Sequence, residues 1–332
     1  MSRRTDALPL RPRIAERPEI VFFDVGDTLL RVDPSWTGAY LAAAHSWGLD
    51  VSEGALAAAF AQALGEGLWD SFGPFDATPE SSYQRIKQFD VRAMALLGYD
   101  DLPDGFYRHL GRFFERRGAW HVFPDAHPAL LALGRAGFRR AVISNWVWAL
   151  PELLHDLELA HHFEAIVASA RVGFVKPQPQ IFEHALELTG VRPGAAIHVG
   201  DNPDADVAGA SAAGIRPVLL DRTGRLRDGL PGRPDVPVVS DLLALLPLLG
   251  CEPVARDEPR PRRRTERAAA QAPGPAGDRR GGATGTNDLI ARAIRETTPA
   301  GSSTPSDQRP GSAVTPLVFG PADVPPGGSE DS

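Results

Sequence analysis

Asp24 closes the apolar run IVFF and is followed by Gly26, Asp27 and Thr28 in the string DVGDT. Further along stand Ser144 and Asn145 at the end of AVISN, Lys176 in GFVKPQ, and Asp201 and Asp206 in HVGDNPDAD. Carboxylates drawn together repel one another, so Asp24, Asp201 and Asp206 could share a site only with cations among them. Lys176 is one such cation, and a hard divalent ion held by oxygen ligands, such as Mg²⁺, is the other. A lysine and a metal around a carboxylate suit a phosphoryl group, whose transfer depends on positioning and charge stabilisation. Ser144 and backbone amides would donate to the remaining phosphoryl oxygens.

These side chains meet only if the fold brings their strand ends to one edge. Between residues 18 and 250, short β-branched runs alternate with helical patterns, the mark of a parallel sheet with crossover helices. Strands are expected at 20–23, 140–143, 165–168, 196–199, 217–220 and 236–239. Several are continuous apolar runs, as befits strands covered on both faces. Helices are expected at 125–136, 151–157, 180–189, 205–213 and 241–248. Ligands of such sheets bind outside the carboxyl ends of the strands, which is where every residue named above falls. The gap between the first two strands is far longer than an ordinary crossover. It reads as helical throughout, at 35–47, 52–66, 79–97 and 104–117, with Ser52 a plausible N-cap ahead of an alanine-rich run.

The order Asp24-x-x-x-Thr28, Ser144-Asn145, Lys176-Pro177 and Gly200-Asp201-x-x-x-x-Asp206 resembles the four motifs of the haloacid dehalogenase (HAD) superfamily, over residues 20 to about 250. The resemblance implies an α/β, Rossmann-like fold with a helical C1 cap inserted at about 33–118. It implies that Asp24 is the nucleophile that forms an aspartyl-phosphate, and that Thr28, Ser144, Asn145 and Lys176 contact the phosphate. Asp24, the Gly26 carbonyl, Asp201 and Asp206 would hold Mg²⁺, with Asp206 supporting either the metal or Lys176. The substrate would be a small phosphorylated metabolite.

Gly26 departs from the phosphatase pattern, in which a second Asp two residues after the nucleophile serves as general acid and base. Asp27 is one residue further on, and in an extended segment neighbouring side chains point opposite ways. Three readings follow: a phosphatase with a weakened acid–base step, a carbon–halogen hydrolase, or a phosphate-binding interaction protein without turnover. The halide branch uses no metal and lacks the Gly-Asp pattern seen at Gly200-Asp201, so the acidic pair favours the phosphatase.

Composition narrows the rest. The chain has 332 residues, 43% hydrophobic, a net charge of −7 and a single cysteine, Cys251. Such a balance argues against broad nucleic-acid binding, and one cysteine leaves no internal disulfide framework. The arginine- and proline-rich residues 1–17 read as a flexible N-terminus and lack the apolar core of roughly 7–15 residues of a secretory signal. No apolar run approaches the roughly 20 residues that cross a bilayer. A cytoplasmic protein is expected. From residue 251 to 332 large apolar residues become sparse, and the segment is expected to be a disordered tail. Within it, a basic run at 256–267 and a short amphipathic pattern at 287–296 read as solvated. Asp204 is read as a helix-start residue outside the site. Trp146 and Trp148 either line a pocket or pack in the core, Trp36, Trp47 and Trp69 are expected to pack helices, and His161-His162 to lie on the surface.

Overall fold

The computed structural model describes residues 16–33, 35–66, 74–226 and 228–251. The expectations for Trp69, the flexible N-terminus before residue 16, the basic run, the short helix and the tail beyond Cys251 lie outside these residues.

In chain order the elements are β1 (Ile20–Phe23), β2 (Leu30–Val32), α1 (Trp36–Ser46), α2 (Glu53–Gly65), α3 (Pro79–Leu96), α4 (Asp104–Glu115) and β3 (Trp120–Val122). They continue with α5 (Ala126–Arg135), β4 (Arg139–Ser144), α6 (Leu150–Asp156), β5 (Ile166–Ala168), α7 (Ser169–Val172) and α8 (Pro179–Thr189). The last are β6 (Ala196–Gly200), α9 (Gly209–Ala212), β7 (Arg216–Leu220), β8 (Val238–Val239) and α10 (Leu242–Leu248). Six strands form one sheet in the order β5-β4-β1-β6-β7-β8, and every pair is parallel. The expected α/β, Rossmann-like architecture is the one found. β8 begins two residues later than expected because Pro237 has no amide hydrogen to give the ladder, though its carbonyl still accepts from Leu219.

β1 lies in the middle of the sheet and is buried throughout. Its pleat sends Val21 and Phe23 into the core formed with α5, α6 and α10, and Ile20 and Phe22 into the core formed with α8. A strand covered on both faces cannot alternate polar with apolar residues, which is why IVFF is wholly apolar. Asp24 is therefore the first polar group after β1, at the edge where the chain leaves the core.

The long insertion leaves and re-enters beside this edge. β2 and β3 pair antiparallel, with Leu30 opposite Val122 and Val32 opposite Trp120, and Asp33 N donates to Ala119 O at 3.0 Å. Three-residue strands so far apart in sequence carry no local signal, and neither was expected. Between them α1–α4 enclose their own apolar core, built around Leu56, Phe60, Met94, Phe106 and Leu110. Ser35, Ser52 and Thr78 cap α1, α2 and α3 with side-chain oxygens that accept backbone amides. Trp36 and Trp47 pack as expected, Trp36 against Phe114 and Trp120, and Trp47 edge-on to Phe106. His162 corrects the reading of a surface pair. It is buried, lies 3.2 Å from His127, and its pKa is pushed down to about 4 by burial and by the charges of His161, His127 and Arg140. Among the described residues no helix is long and apolar enough to cross a membrane.

Candidate active site

Past Phe23 the chain turns sharply. Asp24 N still donates to Val199 O of the neighbouring strand, at 2.9 Å, and the Val25 carbonyl then accepts from Thr28, Leu29 and Leu30. Asp27 sits in the left-handed region, with φ 51°. The premise of an extended segment thus does not hold at Asp27, and its direction is not simply opposite to that of residue 26. Among the described residues no hydrogen bond is made to the Gly26 carbonyl, which leaves its lone pairs open. Thr28 is fully buried, and its Oγ1 has no hydrogen-bond partner.

Ser144, the last residue of β4, donates from Oγ to Asp24 Oδ1 at 2.9 Å. Lys176 Nζ reaches the same oxygen at 2.5 Å and Asp206 Oδ1 at 2.6 Å, with both partners buried. Asn145, expected on phosphate, is engaged elsewhere. Its Nδ2 donates to Lys176 O at 2.9 Å and its Oδ1 accepts Lys176 N at 2.7 Å, so it braces the backbone that carries the lysine.

Asp206 reaches Lys176 through a local irregularity. A single helix was expected over 205–213, but Pro203–Ala208 forms a π-turn before α9. Asn202 sets it up: its side chain accepts the amides of Asp204 and Ala205, and its carbonyl accepts those of Asp206 and Val207. Wide turns of this kind recur at functional sites. Gly200 makes the approach possible, since a Cβ there would lie 2.1 Å from Asp206 Cγ. His198, missed in the sequence, completes the holder. It is fully buried within β6, and its Nε2 lies 2.8 Å from Asp206 Oδ1. A histidine inside the apolar run AIHV was the available signal.

One ligand oxygen from each of Asp24, Asp201 and Asp206 lies within 4.8 Å of the others. The charges respond accordingly. Asp24 is raised, chiefly by burial and further by Asp206, with Lys176 opposing. Asp201 is raised well above the carboxylate range by burial and then by Asp27, Asp206 and Asp24. Asp206 also loses its water, but Lys176 and the His198 bond outweigh that loss and hold its carboxyl low. Lys176 is held above its ordinary value because Asp206 and Asp24 overcome the cost of burial. Although Asp27 reaches solvent, crowding by surrounding protein and the Asp24 charge push it up to about 6, against the pull of Arg222. More carboxylates than cations converge here, and a divalent cation with oxygen ligands fits that excess.

Residues 18–214 match the haloacid dehalogenase-like hydrolase family. The chain belongs to it. Human haloacid dehalogenase-like hydrolase domain-containing protein 3 is 32% identical over 248 residues, covering 70% of this chain and 94% of the relative. Phosphoserine phosphatase of Thermus thermophilus is 42% identical over 117 residues, 35% of this chain and 47% of that enzyme. Among solved structures, a putative HAD-hydrolase, YfnB of Bacillus subtilis, bound to magnesium, aligns with a TM-score of 0.56 at 22% identity, covering 71% of this chain and all of that one. Membership makes the chain a hydrolase. Trp146, left between pocket and core by the sequence, lies along the loop of this HAD site: its Cζ3 is 3.4 Å from where a Cβ on Gly26 would stand, and its ring is 4.6 Å from that of Trp120. Trp148 instead ties the core to the insertion, its amide donating to Ser82 Oγ on α3 at 3.2 Å.

Proposed function

We propose that this hydrolase is a Mg²⁺-dependent phosphatase that acts on a small phosphorylated metabolite by forming an acyl phosphate on Asp24. The observation that carries the reading is the division of labour on the Asp24 carboxylate. Oδ1 accepts both Ser144 Oγ and Lys176 Nζ, while no described residue bonds Oδ2. Oδ2 therefore keeps its lone pairs for attack on phosphorus, and the two donors fix the plane in which it attacks. The P–O bond to the leaving alcohol breaks as the Asp24–phosphorus bond forms, and water then releases phosphate and restores the carboxylate. Lys176 and Ser144, clustered at Asp24, would donate to the phosphoryl oxygens as negative charge builds on those oxygens. Asp24, Asp201 and the Gly26 carbonyl would hold the ion, whose charge would neutralise the phosphoryl oxygens. Asp206 serves chiefly to orient Lys176, since Lys176 and His198 share its Oδ1 and Asn202 N donates to Oδ2. The helical insertion would act as a cap that selects the substrate, and the similarity to a phosphoserine phosphatase supports a small phosphomonoester.

The test is phosphate release from a panel of phosphorylated metabolites with and without Mg²⁺, run beside chloride release from a 2-chloro acid. Metal-dependent phosphate release supports the reading. Metal-independent chloride release without phosphatase activity would replace it with the carbon–halogen hydrolase.

A further inference from the structure

The loop that follows the nucleophile adopts a backbone it would not hold alone. Asp27 is left-handed, a conformation costly for a residue with a Cβ and maintained only where the surroundings impose it. The carbonyls of Asp27 and its neighbour Thr28 are both taken by one side chain that follows a strand two places along the sheet from β1. Arg222 follows β7 at the same carboxyl edge, and its Nε donates to Asp27 O at 3.2 Å and its Nη2 to Thr28 O at 2.7 Å.

The guanidinium is itself held from two sides. Asp125, just before α5, grips it with both oxygens, at 2.9 Å to Nη1 and 3.1 Å to Nη2. Phe123 lies beneath it, 3.7 Å from ring centre to Cζ, and the Phe123 amide bonds back to Leu29 O in the same loop. Asp125 Oδ2 also accepts Leu242 N at the start of α10, so the grip is anchored on a third element. A planar fork can serve two carbonyls and a carboxylate at once; an ammonium cannot.

We propose that Arg222 is a positioning residue, whose fork, seated on Asp125 and Phe123, fixes the backbone of residues 26–28, which directly follows Asp24, and with it the Gly26 carbonyl. It touches no reacting atom. Its effect passes through the backbone of the loop, and misplacement there by an ångström slows chemistry more than binding.

The test uses the full chain as wild type, Arg222→Lys and Arg222→Gln. It reads steady-state hydrolysis of p-nitrophenyl phosphate with Mg²⁺, amide hydrogen exchange of residues 25–30, and thermal unfolding. Only the kinetic arm rests on the phosphatase reading. The expected result is a roughly 10- to 100-fold fall in kcat with KM nearly unchanged. Exchange at residues 27–30 should quicken while the central strands keep their protection, and lysine should not rescue. Wild-type kcat and wild-type loop exchange in both variants would overturn the proposal. So would a fall in kcat that merely tracks a fall in thermal midpoint, with the loop no more exposed than the sheet. If the wild type does not hydrolyse this ester, the kinetic arm reads nothing and the exchange arm decides alone: faster loop exchange upholds the role of Arg222, and unchanged exchange removes it.

Discussion

Gly26 leaves the loop after Asp24 without the carboxyl that would protonate a leaving oxygen and later deprotonate the attacking water. General acid–base assistance of this kind contributes about 10²–10⁴ in rate. An aryl phosphate has a good leaving group and needs little help in the first step, but the second step still lacks its base. We therefore expect rapid release of one product equivalent per enzyme, then slow turnover with phosphate held on Asp24, as read by stopped-flow absorbance. Gly26→Asp should raise the steady rate. The added Cβ meets Trp146 Cζ3 at 3.4 Å, an ordinary van der Waals contact, and Gly26 does not use a positive φ. Asp27 is the competitor, since its carboxyl is crowded toward Asp24 and Asp201 and pushed up to about 6. Turnover without a burst, together with collapse of activity in Asp27→Asn, would transfer the acid–base role to Asp27. At this scale the sequence disclosed the residues that change charge or attack, because Asp24 and Asp201 directly follow apolar strands and Lys176 stands just before a proline-started helix. It did not disclose their holders. His198 and Arg222 act through partners that only the fold brings near, across the π-turn in one case and two strands along the sheet in the other.

At the scale of elements, the helical insertion carries a titratable group of its own. Asp90 on α3 is buried in the insertion's core and accepts Tyr40 Oη at 2.6 Å. Burial pushes its carboxyl up to about 7, with the Tyr40 bond opposing. Because the folded pKa lies above the unfolded one, near 3.9, the native state binds this proton more tightly. The stability it confers is complete below about pH 4 and is lost as pH rises to about 7. Asp90→Asn can still accept Tyr40 and has no charge to bury. We expect it to raise the thermal midpoint at pH 8, by up to roughly 1–4 kcal/mol of stability, and to flatten the pH dependence between 4 and 7. Equal midpoints for mutant and wild type across that range would show that Asp90 is solvated in the folded insertion. The insertion's helices were legible because alanine-rich runs and capping serines are local signals. β2 and β3 were not, since three-residue strands gain their identity from a partner far along the chain. The π-turn was hidden for a similar reason: a proline-led helix start reads the same for either hydrogen-bond period, and the Asn202 carbonyl, accepting from both Asp206 and Val207, sets the wider one.

At the scale of the whole molecule, the cores on the two faces of the sheet and the core within the insertion draw on residues between Ile20 and Leu248. The composition beyond Cys251 offers few large apolar groups, and we propose that it adds nothing to folding. A chain ending at Cys251 should unfold at the same temperature as the full chain and hydrolyse substrate at the same rate. A lower midpoint would show that the removed residues pack on the hydrolase fold.

The central claim is that Asp24, with a divalent ion beside Asp201, attacks phosphorus. Phosphate release from p-nitrophenyl phosphate by the wild type and by Asp24→Asn, each with Mg²⁺ and with excess chelator, tests it most directly. We expect release only from the wild type with Mg²⁺, because an amide is a poor nucleophile and the crowded carboxylates need the ion's charge. Full activity in chelator, or undiminished activity of Asp24→Asn, would contradict it.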